Sequence, residues 1–169
     1  MATKWNLDPT HSEITFKVRH MMISNVKGAF NSFSAEIEAE DDSFKNAKVS
    51  ATINTDSIDT NNTDRDTHLK SADFFNAEPN PTITFESTAL ADEITGNLTI
   101  NGVTKPVELE VEFGGINVDP WGNTKAGFSF EGKIKRSDFG LNWNAALETG
   151  GVLVSDDVKI AGELQFVKG

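Results

Sequence analysis

The 169-residue chain has no cysteine, only three histidines, and 15 Lys+Arg against 26 Asp+Glu. Without cysteine there is no disulfide scaffold, no Cys-based zinc site, no iron–sulfur cluster and no thiol nucleophile. The shortage of positive charge leaves a net charge of −11, which argues against a nucleic-acid partner. No stretch approaches 18 consecutive apolar residues, so the sequence offers no membrane-spanning helix. Residues Met1–Asp8 lack a charged segment followed by an apolar run and a small-residue cleavage site. That pattern predicts a cytoplasmic protein, or a periplasmic one if a leader has been trimmed. Apolar residues make up 37% of the chain, too many for a disordered acidic tail, and the length fits one domain over 1–169.

What the sequence does have is alternation. Apolar residues recur with period 2, the mark of strands with one buried face. The runs are Ile14/Phe16/Val18, Phe33/Ala35/Ile37/Ala39, Val49/Ala51/Ile53, Ile83/Phe85, Ile94/Gly96/Leu98/Ile100, Val107/Leu109/Val111/Phe113, Ala126/Phe128/Phe130/Gly132/Ile134 and Val158/Ile160/Gly162/Leu164/Phe166. Asn101-Gly102 is a hairpin signal, and Asp119–Asn123 and Glu40–Ser43 mark further turns. Eight such strands with short connections predict an all-β fold: an antiparallel sandwich or a closed barrel. An eight-stranded barrel is either packed inside or holds one small ligand. Asp59–Ala77 lacks alternation, and its Asp, Asn and Thr cluster as at a helix start. It predicts one or two short helices covering one side, with Leu69, Ala72 and Phe75 on one face, ended by Pro79 and Pro81. His20–Val26 reads as irregular.

The inward positions mix phenylalanines with Gly96, Gly132 and Gly162. Strand glycines mark either bends and interdigitation with large rings, or close approach by a ligand. Few charges fall on the apolar face, so a ligand there would be apolar. His11, His20 and His68 match no short metal motif, which predicts no metal site. Arg65-Asp66 and Arg136-Ser137-Asp138 place guanidinium beside carboxylate, suited to pinning a segment or to meeting the polar head of a ligand. Asp138-Phe139-Gly140 spells a kinase triplet but stands without any nucleotide loop.

Several ordered blocks resemble the YceI family. They are Trp5-x-Leu7-Asp8-x-x-His11-Ser12-x-Ile14-x-Phe16-x-Val18-x-His20-Met21, Val26-x-Gly28-x-Phe30 and Arg65-Asp66-x-His68-Leu69-x-Ser71-x-x-Phe74-Phe75. Pro81-x-Ile83-x-Phe85-x-Ser87, Gly96-x-Leu98-Thr99-Ile100-x-Gly102-Val103-Thr104-Lys105-Pro106-Val107, Arg136-Ser137-x-Phe139-Gly140-Leu141 and Asp157-Val158-x-Ile160 complete the set. Asn80 departs from the family, which often has an aromatic residue before Pro81. The resemblance implies an eight-stranded, lipocalin-like antiparallel barrel with a helical cover. It also implies a binding protein rather than an enzyme, with a polyisoprenoid or quinone-like lipid as ligand and no cofactor.

On this reading Phe16, Val18, Met21, Met22, Phe30, Phe74, Phe75, Phe85, Leu98, Phe128, Phe130 and Trp143 line the apolar pore. His20, Arg65, Asp66, His68 and Arg136 form its polar mouth. Transient membrane contact and a homodimer stay open as partners. The alternatives are a packed barrel acting through its surface, as in a stress response, and an isomerase or cyclase. The latter would use His20, His68, Asp66 or Asp138 as acid or base.

Overall fold

Alternating side chains become strands because only a pleated backbone puts every second residue on one face. The computed structural model describes residues 3–21, 23–87, 93–141, 144 and 154–169. Its strands are β1 (Thr3–Leu7), β2 (Glu13–His20), β3 (Ser24–Phe30), β4 (Phe33–Ala39), β5 (Lys48–Asn54) and β6 (Ile58–Asp59). They continue with β7 (Thr82–Ser87), β8 (Glu93–Ile100), β9 (Val103–Val118), β10 (Thr124–Lys135) and β11 (Val154–Lys168). All pairings are antiparallel, in the order β1-β4-β5-β7-β8-β9-β10-β11, and β11 returns to β1. The result is a closed eight-stranded barrel. Three staves are broken in two: β2 continues β1, β3 leads into β4, and β6 continues β5. At the level of the breaks β11 pairs with β2, β2 with β3, and β3 with β6.

Each of the eight alternating runs lies on a different stave. The hairpin at Asn101-Gly102 is as expected, with φ of 54° and 74°, both left-handed as a tight turn of this type requires. The stretch from His20 to Val26 is more regular than its sequence suggests. His20 pairs with Ser24 and Val18 with Val26, so it forms the tip and upper arm of a hairpin.

The first break is built around Asp8. Its carboxylate accepts from the Thr10 backbone N–H (3.1 Å) and hydroxyl (2.7 Å), and lies 2.8 Å from His11 Nδ1 and 2.9 Å from Lys125 Nζ. Asp8 N–H donates to the Gln165 carbonyl, and Gln165 N–H donates to Ser12 Oγ. The turn therefore stays bonded to β11, which serves β1 below it and β2 above it. The Thr10 hydroxyl, the Lys125 ammonium and His11 together hold the Asp8 carboxyl far below its usual range.

One end of the barrel is plugged by the β4–β5 loop. Phe44 adopts φ 59°, a left-handed conformation that costs an L-residue ~1–2 kcal/mol. Burial of its ring offsets this. Phe44 is 2% exposed and contacts Trp5, Phe113 and Phe128 at centroid distances of 5.1, 5.4 and 5.1 Å. Phe113 was expected inside the barrel, but it is 45% exposed. A bulge at Gly127/Phe128 shifts the register, and Phe113 stacks on Phe128 at the rim.

Helix α1 (Thr63–Leu69) is the only α-helix among the described residues. Asn62 caps it by accepting from Arg65 N–H, and Asp64 and Asp66 sit in its positive first turn. It stops at Leu69, short of the helical face expected to include Ala72. Ala72 is exposed, and Phe74 is buried instead, with Phe75 meeting Phe30 edge-on at 5.9 Å. Asn80 Nδ2 donates to the Asn76 carbonyl and to Asn101 Oδ1, tying this turn to the β8–β9 hairpin.

Two outcomes follow for stability. Phe44→Ala should cost about 3–5 kcal/mol and lower Tm by roughly 10 °C, read by calorimetry. A shift under 2 °C would remove Phe44 from the core. Asp8→Asn should destabilise by about 1–2 kcal/mol at pH 7. Because the folded-state pKa of Asp8 lies below its unfolded value of 3.8, its contribution is complete above that pH and fades as the pH falls below it. The gap between wild type and Asp8→Asn should therefore narrow in acid; a gap constant from pH 7 to pH 2 would contradict this.

Candidate binding site

Closing the ring turns one face of every stave inward, and those faces enclose a cavity of about 410 Å³. Its wall is hydrocarbon and aromatic: Ile14, Phe16, Val18, Phe30, Phe33, Ala35, Ile53, Ile83, Phe85, Leu98, Leu109, Val111, Phe128, Phe130, Ile160 and Leu164 all contribute. No Asp or Glu among the described residues lines it. Its charged or titratable lining groups are His20, Arg65, His68 and Arg136, all at the end remote from Phe44.

Of the residues expected in the pore, Phe16, Val18, Phe30, Phe74, Phe75, Phe85, Leu98, Phe128 and Phe130 line the cavity. Met21 does not. The tight turn between His20 and Ser24 places it at a hairpin tip with φ 53°, and it is 43% exposed. Met22 and Trp143 lie outside the described residues.

Glycine positions explain how so many rings fit. Phe16 faces Gly28 and Phe130 faces Gly162 across paired strands, and each ring lies against the glycine backbone. Phe85 covers Gly96 likewise: a methyl there would stand 2.5 Å from the ring and 2.6 Å from the Glu86 carbonyl oxygen. These glycines accommodate rings of the barrel itself, leaving the cavity between the folded-back aromatics.

Of the polar residues, Arg65 and Asp66 act as a clasp. Thr60, 3% exposed, donates its N–H (2.9 Å) and its hydroxyl to Asp66 Oδ1, while Arg65 Nε donates to Thr60 Oγ1 (2.8 Å). The pair pins α1 to the end of β6. Asp66 is thereby turned from the cavity, contrary to its expected place at the mouth, whereas Arg65 also lines the cavity. His68 Nε2 lies 2.9 Å from Asp73 Oδ2, and its ring meets Phe74 edge-on. Asp73 and Asp138 are exposed and do not line the cavity, so the His68–Asp73 pair joins a lining imidazole to a carboxylate outside it.

Arg136 is 6% exposed at the start of a 3-10 turn over 136–139. It donates to the carbonyls of Ser155 (2.9 Å), Leu141 (2.6 Å) and Val154 (3.2 Å). Burial lowers its pKa and the nearby Asp156 charge opposes that, but a guanidinium keeps its proton under such pressure. Asp138-Phe139-Gly140 closes this turn, with Phe139 buried and Gly140 left-handed at φ 75°. Lining residues that the alternation did not single out include Val26, Leu141 and Val154. Val26 had a signal: it stands two positions before Gly28 and four before Phe30.

A closed antiparallel barrel around an apolar cavity, with polar groups gathered at one end, defines the lipocalin-like class of small-molecule-binding folds. The YceI-like domain family matches residues 5–166, and the chain belongs to that family. UPF0312 proteins of Staphylococcus epidermidis and Staphylococcus aureus are 42% and 40% identical over 166 residues, covering 97% of both chains. Among solved structures, Burkholderia cenocepacia BcnA superposes with a TM-score of 0.80 at 25% identity, over 94% of this chain and 98% of that one. A Campylobacter jejuni YCEI protein gives 0.76 at 36% identity, over 89% and 90%. A polyisoprenoid binding domain from Saccharophagus degradans shares the fold, at 0.70 and 16% identity over 98% of each.

Replacing Arg136 by methionine keeps much of its bulk but leaves three carbonyls without their donor. Urea denaturation should show a loss of about 2–3 kcal/mol, with lysine rescuing only part of it. A loss under 0.5 kcal/mol would mean that water or the backbone satisfies those carbonyls equally well.

Proposed function

We propose that the chain binds a long-chain isoprenoid or similar amphiphilic lipid in the barrel and carries or sequesters it. The observation that carries this reading is the cavity itself: hydrocarbon on all sides, no carboxylate among its described lining, and cations and histidines at one end. The tail lies among Phe16, Phe85, Leu98, Phe128 and Phe130; the head faces His20, Arg65, His68 and Arg136. A volume of about 410 Å³ falls within the ~300–1,000 Å³ of small-molecule sites. Burying ~10 methylene groups at ~0.8 kcal/mol each is worth ~8 kcal/mol, about micromolar affinity before ordering costs. The likeness in fold to the polyisoprenoid binding domain of Saccharophagus degradans supports the ligand class. This reading is one of binding rather than catalysis: no carboxylate lines the cavity among the described residues, and Asp73, which meets His68 at 2.9 Å, lies exposed outside it.

The test is calorimetric titration with geranylgeraniol. Wild type should bind with a dissociation constant near micromolar. Phe85→Asp and Phe128→Asp should abolish binding, and Ala51→Trp, which fills the cavity without adding charge, should weaken it at least tenfold. Circular dichroism checks each fold. Wild type that takes up no isoprenoid, or a folded Ala51→Trp that binds normally, would overturn the proposal.

A further inference from the structure

The acidic charge of the chain is unevenly spread over the barrel. Antiparallel register places Lys27 opposite Lys17, Lys17 opposite Lys159, and Lys159 opposite Lys133. Four lysines thus form one row across β3, β2, β11 and β10. They alternate with the cavity-lining Phe16 and Ile160, so they point outward. Like charges directly opposite on neighbouring strands destabilise a sheet. Of the four, only Lys133 has an ion pair among the described residues, a 3.9 Å contact to Asp157 with both side chains about half exposed. Arg19, opposite Asn25, and Lys135, opposite Asp157, lie one step further toward the barrel end that carries the polar lining groups. Glu108, Glu110, Glu131 and Asp59 flank the lysines in the same outer groove, while Glu36, Glu38, Glu86 and Glu112 are exposed elsewhere on the barrel.

The same barrel end carries an exposed apolar tip. Met21 and Ile23, in the β2–β3 turn, are 43% and 75% exposed. Lys17 and Lys27 stand three positions from the His20–Ser24 pair that closes this turn. At ~3.3 Å per residue that is ~10 Å along the strand, or ~8 Å along the barrel axis for a tilt of ~40°. An apolar tip settles ~5–10 Å deep at the headgroup boundary of a bilayer. With Ile23 at that depth, Lys17 and Lys27 stand at the level of the lipid phosphates.

We infer that the lysine row and the Met21/Ile23 tip form a docking surface for an anionic bilayer, which brings the polar end of the cavity to the membrane. The inference rests on the proposed lipid cavity for its purpose, but not for its evidence. Charge complementarity selects the occupant: four lysines directly opposite one another on neighbouring strands repel each other and are relieved by a plane of phosphates. The exposed tip separates a bilayer from a soluble polyanion, which has no apolar layer to receive Ile23. The other large exposed apolar tip, Trp121 at 82%, lies at the plugged end beside the Asp119–Lys125 pair and serves as the control.

The test is sedimentation of the full chain with vesicles of phosphatidylcholine containing 30% phosphatidylglycerol, against pure phosphatidylcholine. Binding should require the anionic lipid and weaken as salt is raised. Each cation near an anionic surface contributes roughly fivefold, so Lys17→Glu with Lys159→Glu should weaken binding at least 25-fold. Ile23→Ser should weaken it several-fold, and Trp121→Ala should leave it unchanged. No anionic preference, loss through Trp121→Ala, or binding to polyphosphate with none to vesicles would overturn the inference. Geranylgeraniol titration of the double lysine variant separates the two proposals. Normal uptake with lost vesicle binding supports docking; vesicle binding by a wild type that takes up no isoprenoid leaves docking standing and removes the cavity reading.

Discussion

Closure of the ring by β11 is the constraint on which the rest depends. One long strand must hydrogen-bond to both halves of the broken first stave, to β2 at Glu163 and above, and to β1 at Phe166 and beyond. The Asp8 turn makes this workable. It inserts a 3-10 turn between the halves while keeping Asp8 and Ser12 bonded to Gln165. Lys125 of β10 also reaches the Asp8 carboxylate, so three neighbouring staves meet at one charged group. With the ring shut, the barrel proper has no free edge, and every inward side chain faces the others across a common interior.

The cavity follows from what those side chains are. Rings folded against strand glycines occupy the wall, and Phe44 and Trp5 occupy one end. What is left is an apolar space with cationic and imidazole groups at the other end. Its asymmetry suits an amphiphile: hydrocarbon has no competing polar partner inside, and a polar head has donors only where the strands end. The clasp of Arg65 and Asp66 on Thr60 fixes the cover that carries His68, Phe74 and Phe75. Most of the charge at this end is thus held by protein groups.

Much of this was legible in the sequence, because alternation reports which face is buried and the hairpin signal at Asn101-Gly102 reports a local backbone demand. Phe16, Phe85, Phe128 and Phe130 followed from the same pattern, whereas Phe30, Phe74 and Phe75 came from the family resemblance. The missed elements had physical reasons. β1 and β3 are half-staves whose alternation is short or diluted by Asn25, Lys27 and Gly28, and β6 has two residues. Phe44 sits in an acidic loop with no periodicity, and its burial depends on a left-handed backbone that no pattern announces. Met21 and Asp66 were placed by residue type, whereas a tight hairpin turned one outward and a buried threonine captured the other. Phe113 followed the alternation up to a bulge that the pattern cannot show.

The central claim is that the interior holds a lipid. Its most direct measurement is native mass spectrometry of the protein purified from its own host, paired with an organic extract of the same sample. The account predicts a non-covalent adduct of isoprenoid or acyl mass, recovered in the extract and displaced by geranylgeraniol. A bare protein with an empty extract, which takes up no geranylgeraniol on incubation, would contradict it.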